Sequence, residues 1–62
     1  MWRLSTVVSC VDAPAYAAEA TKWLRANTSP ATEIVLFDNG STVPLPQFDA
    51  DRLIRLERNI GG

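Results

Sequence analysis

Two short segments, residues 4–11 (LSTVVSCV) and 33–38 (EIVLFD), carry apolar or β-branched side chains at odd and even positions alike. A strand with one solvated face alternates apolar and polar residues. A strand without that alternation is covered on both faces, and parallel sheets are where such strands occur. A third segment, 52–57 (RLIRLE), is more amphipathic and reads as a strand nearer an edge. The chain between the first two segments has the length and content of a crossover helix. The expected fold is therefore α/β, a small Rossmann-like βαββ half-domain. It has a three-stranded parallel sheet in the order 3-2-1 with one helix on one face, and residues 1–62 form a single truncated domain.

Local punctuation supports these boundaries. Asp12 stands where a helix N-cap belongs, and Pro14 falls in the first turn, where a missing N–H costs nothing. Residues 14–27 are rich in helix formers. Tyr16, Ala20, Trp23, Leu24 and Asn27 make a largely apolar stripe, which assigns Trp23 to the core. Pro30 disfavours helical geometry in the residue before it and ends the helix. Asn39-Gly40-Ser41 breaks the second strand sharply. Residues 42–51, with Pro44 and Pro46, have no period and read as a loop with one helical turn near 47–50.

Composition excludes several functions. With six Lys/Arg against seven Asp/Glu the formal charge is −1, too little positive charge for nucleic acid or an anionic membrane. No His and a single Cys rule out a Ser-His-Asp triad, the usual zinc sites and an internal disulfide framework. No apolar run is long enough to span a bilayer, and residues at the start lack a signal-peptide pattern, so a cytoplasmic location is expected. Size adds a further expectation. A domain this short buries only ~60% of the surface its unfolded chain exposes. Parallel crossovers are right-handed, which places the helix and the 42–51 connection on one face of the sheet. The other face, including side chains from Val7, Val35 and Phe37, is left uncovered and calls for a partner, a second copy being the simplest. Trp2 is expected on that face or at a subunit contact.

Ligands of open α/β sheets bind beyond the carboxyl ends of the strands. Here that edge gathers Cys10-Val11-Asp12, Asp38-Asn39-Gly40-Ser41 and Glu57-Arg58-Asn59. Asp38 has two readings. Its carboxylate accepts hydrogen bonds from a nucleotide's base or ribose, or it caps its own turn, as Asp and Asn do. Cys10, with no His to activate it, is a small buried hydrophobe. Arg52, Arg55 and Arg58 read as a solvated edge. Asp49 and Asp51 form a literal Asp-x-Asp, a pattern that arises by chance in loops and here precedes the third strand.

In order and spacing, LSTVVSCVDAPAY, EIVLFDNGST and RLIRLERNIGG resemble the N-terminal part of a family-2 inverting glycosyltransferase of GT-A fold. Those enzymes have a strand ending near Thr-Tyr-Asn-x-Pro-x-Tyr, a strand running into Asp-Asp-Gly-Ser or Asp-Asn-Gly-Ser, and a strand followed by Asn-x-Gly. The likeness covers nearly the whole chain and is most specific at DNGST and NIGG. It implies that Ser9 and Val11 line the pocket for the base of a nucleotide-sugar donor. It also implies that Asp38 and Asn39 include the carboxylate that recognises base edge and ribose, and that Asn59 and Gly61 lie beside the nucleotide. Two departures stand out: Val11 replaces a Tyr that often stacks on the base, and Asp12 replaces Asn. The family's metal-holding Asp-x-Asp, which takes magnesium or manganese, and its catalytic base follow in later segments. The resemblance therefore implies no catalytic residue and no cofactor within these 62 residues, weak nucleotide-sugar binding, and no activity alone. The alternatives are a vestigial nucleotide-binding module and an oligomeric structural or interaction protein.

Overall fold

The computed structural model describes residues 4–57. Its elements are β1 (Leu4–Cys10), α1 (Pro14–Asn27), β2 (Thr32–Asn39) and β3 (Arg52–Leu56). The strands form one parallel sheet, β1-β2-β3, with β2 central. This is the α/β half-domain expected, with strand ends moved by a residue: Val11 and Glu57 fall outside the strands, while Thr32 and Asn39 join β2.

Register assigns the two faces. Val8 pairs with Leu36, Cys10 with Asp38, Leu36 with Leu53 and Asp38 with Arg55. Because side chains alternate, Thr6, Val8, Cys10, Ile34, Leu36, Asp38, Leu53 and Arg55 share one face. The core lies there: Val8, Cys10, Ile34 and Leu36 pack with Ala17 of α1 and with Leu45 and Ala50 of the 42–51 connection. Helix and connection therefore cover the same face. The opposite face carries Val7, Val35, Phe37, Ile54 and Leu56, and no element among the described residues packs on it. Its other end is polar, with Ser5 Oγ donating to Glu33 Oε1 at 3.0 Å and Arg52 Nε 3.9 Å from Glu33 Oε2.

The helix meets the sheet through Ala20 and Leu24 of the expected stripe, but with its face turned toward Ala17 and Thr21 and away from Tyr16 and Trp23. Ala17 and Thr21 are buried, flanked by the partly buried Ala20 and Leu24. These positions recur at three, one and three, one residue round from the stripe through Tyr16 and Trp23. Small side chains let the helix approach the sheet, and Thr21 satisfies its hydroxyl on the Ala17 carbonyl at 2.8 Å. Trp23, assigned above to the core, is instead 63% exposed, and Tyr16 is likewise on the outside. Asn27 turns back to donate to the Trp23 carbonyl, and Thr28 closes the helix by donating both its amide and its hydroxyl to the Leu24 carbonyl.

Two further expectations are corrected. The N-cap is Ala13, with no side-chain cap, because Asp12 is turned toward another loop. Residues 47–50 make a tight turn and not a helical one. Ala50 N donates to Gln47 O at 3.1 Å, Gln47 Nε2 donates to Ala50 O at 2.9 Å, and Phe48 takes φ 52°. No helix among the described residues is long and apolar enough to cross a membrane.

Candidate functional site

The carboxyl ends of β1 and β2 meet at one edge, where Cys10 pairs with Asp38. Residues there alternate in fate. Ser9 is exposed on the open face and Val11 is exposed just beyond β1. Asp38 points under the sheet and is fully buried, while Asn39 is half-buried on the side opposite. The fold therefore brings Ser9, Val11, Asp38 and Asn39 to one edge of the sheet. Asn59 and Gly61 lie outside the described residues, as do Trp2 and Arg58.

A fully buried carboxylate survives only when its oxygens are satisfied. Asp38 Oδ1 accepts from Ser41 N at 2.9 Å, and Oδ2 accepts from Leu45 N at 3.1 Å, with Arg55 Nε 3.5 Å away. Asp38 thus caps the loop that follows it, the second of the two readings above. Burial pushes its pKa up, but the Ser41 hydroxyl, the Leu45 and Ser41 amides and the Arg55 charge outweigh burial and hold it below the usual carboxylate range. Arg55 is a correction to the solvated edge. It is 33% exposed along its side chain and is drawn to Asp38 because β3 register puts both on the covered face. That pairing needed the register and had no signal in local sequence.

Asp12 supplies the second set of contacts at this edge. Its Oδ1 accepts from Thr42 N at 2.7 Å and its own amide donates to Ser41 Oγ at 2.9 Å. To do both it takes φ 51°, in the left-handed region that Asp and Asn tolerate better than other side chains. Beside it runs a groove of about 340 Å³ lined by Pro14, Val43, Pro44, Leu45 and Pro46, with Asp12 and Thr42 at its polar margin.

The Asp-x-Asp of the connection is occupied by structural work. Asp51 Oδ2 accepts from Arg25 Nη2 at 2.8 Å and from Ile34 N at 2.8 Å, while Asp51 N donates to Ile34 O at 2.8 Å. Asp51 in this way extends the β2–β3 ladder by one position and ties α1 to it. The hydrogen bond from Arg25 and that from the Ile34 amide hold its pKa down. Arg25 also donates to the Asp49 carbonyl at 3.1 Å. Among the described residues no group of three His, Cys, Asp or Glu is placed to hold a metal ion.

Cys10 is buried, as expected of a small hydrophobe, and burial together with the nearby Asp38 charge pushes its thiol pKa up. Because the thiol is buried, alkylation near pH 8 is expected to run about a hundredfold slower in the folded chain than in denaturant. Equal rates, followed by mass spectrometry, would show that the edge opens freely. The sign on stability follows: this contribution is intact below the ordinary thiol pKa of about 8.5 and is lost as pH rises from there through the raised value.

Compared with models of protein families, with curated proteins and with solved structures, the chain matches none of them. The edge presents backbone groups and acceptor side chains at the ends of parallel strands, beside a buried thiol.

Proposed function

We propose that these residues build the nucleotide side of a sugar-nucleotide-binding domain of the GT-A kind. One observation carries the reading: the DNGS loop after the central parallel strand is tied back to the loop after β1, at the edge where such sheets bind ligands. Ser9, Val11 and Asn39 are the surface such a ligand meets, with Asn59 and Gly61 completing it by the resemblance. Asp38 acts here from below, since its carboxylate holds the loop that presents Asn39 and Gly40. Half a crevice encloses little of a ligand, and binding pockets normally enclose most of it. Uridine nucleotides therefore bind at millimolar strength at best, as a nucleotide-sugar donor would.

The test is titration of the isotope-labelled chain with uridine diphosphate, read by amide chemical shifts. Shifts at Ser9, Val11 and Asn39 with millimolar ligand are the expected result. A folded chain whose edge amides do not respond overturns the nucleotide reading. Micromolar affinity would mean that assembly of several copies completes the pocket. Sugar transfer by the 62 residues alone is not expected, because inverting transfer needs a base for the acceptor hydroxyl and charge neutralisation on the departing diphosphate.

The apolar face that no described element covers favours a second reading, an oligomeric structural or interaction protein. Val7, Val35, Phe37, Ile54 and Leu56 lie together on it, and packing against a second copy is the simplest closed arrangement. The two readings meet on one surface, since Ser9 and Asn39 lie on that same face at its carboxyl edge, and a second copy seated there would have to leave them free for the first reading to hold.

A further inference from the structure

Two contacts reach the loop after β2 from a single residue of the loop after β1. Asp12 accepts the Thr42 amide, donates its own amide to Ser41 Oγ, and occupies a left-handed conformation that allows both. Ser41 is itself buried, and its hydroxyl and amide both donate to Asp38. A continuous chain of hydrogen bonds therefore runs from Asp12 through Ser41 to Asp38 beneath the sheet, with Arg55 of β3 at its far end. The residues joined are far apart in sequence, by 29 and 30 positions across the two Asp12 contacts. Among the described residues no hydrogen bond besides these two ties residues 11–13 to residues 40–46.

We infer that Asp12 is a positioning residue for the ligand edge, clasping the loop that carries Val11 to the loop that carries Asn39 so that the two move as one body. This rests on the nucleotide reading for its consequence in binding, but the clasp itself does not. Asp12 does not take the helix-capping role that an Asp before Ala-Pro suggests: Ala13 is the N-cap, and the Asp12 carboxylate meets Thr42. Any residue that keeps a short acceptor and tolerates φ near 50° serves equally well, and asparagine has both properties.

The experiment measures amide hydrogen exchange in the wild-type chain and in Asp12→Asn, Asp12→Ala and Asp12→Gly variants. Asp12→Ala is expected to speed exchange of the Thr42 amide about tenfold while the Leu45 amide, held by Asp38, keeps its protection. Asp12→Asn should stay within about threefold of wild type at Thr42. Asp12→Gly relieves the left-handed backbone yet still lacks the acceptor, so it reports the clasp even where the alanine variant does not fold. In the uridine diphosphate titration, shifts at Val11 and Asn39 should follow one binding curve in wild type and Asp12→Asn. In Asp12→Ala or Asp12→Gly they should separate. The clasp is overturned when the Thr42 amide stays protected in Asp12→Ala or Asp12→Gly, or when Asp12→Asn loses as much protection as Asp12→Ala. A wild-type edge that ignores the nucleotide removes the binding consequence and leaves the exchange result to decide the clasp.

Discussion

Asp38→Ala should leave the chain largely unfolded at room temperature. The substitution strips acceptors from the Ser41 and Leu45 amides in a place with no room for bulk water, and it leaves Arg55 facing the gap. Each buried donor left without a partner costs about 1–3 kcal/mol, so the two amides alone account for about 2–6 kcal/mol. A chain of this length has a total stability of about 3–9 kcal/mol. Asp38→Asn keeps one good acceptor but loses the charge, and it should lie between wild type and alanine. Circular dichroism melts decide the matter. An alanine variant melting within a few degrees of wild type would mean that the loop re-forms its bonds elsewhere. The same carboxylate sets the acid limit. Its folded pKa is lowered, so its contribution is complete above the unfolded value of about 3.9 and is lost as pH falls through the lower, folded value. Asp51, also lowered, acts in the same direction.

Charge at the centre of the face that no described element covers should have the next largest effect. Val35 pairs between Val7 of β1 and Arg52 of β3 and is only 4% exposed, although no described element lies over it. Val35→Asp buries a carboxylate beside Val7, with only the Arg52 guanidinium, already drawn to Glu33, near enough to meet it, which destabilises the chain whether or not a partner is present. Phe37→Asp, at a partly exposed position on the same face, separates the two cases. Burying that face against a second copy, at ~25 cal/mol per Å² over several hundred Å², contributes several kcal/mol per subunit. With a partner, Phe37→Asp dissociates and unfolds the protein together, and the wild-type melting temperature rises with protein concentration. Sedimentation of wild type as a well-folded monomer at micromolar concentration would remove the second copy.

Much of this architecture was legible because its causes are local. Apolar residues at both parities marked β1 and β2, Pro14 and Pro30 bracketed the helix, and Asn39-Gly40 stopped the central strand. The same chemistry placed Ser9, Val11, Asp38 and Asn39 at one edge, since parallel strands must end together. It did not say which of two adjacent helical stripes would face the sheet. A stripe chosen by residue size points Trp23 inward, whereas close packing on a sheet selects Ala17 and Thr21 and leaves Trp23 outside.

Roles of the polar side chains were decided elsewhere. An aspartate near a helix start, an aspartate before Asn-Gly and an aspartate before a strand are each locally plausible caps, and only Asp38 proved to be one. Asp12 and Asp51 found their partners in Thr42, Ser41, Arg25 and Ile34, between 17 and 30 residues away. Strand and helix propensity act over a few residues, so the sequence alone was enough for the elements and their order. The partner of a carboxylate is whichever donor the folded chain brings within 3 Å, and only the packed sheet, its register and its covering loops could choose it.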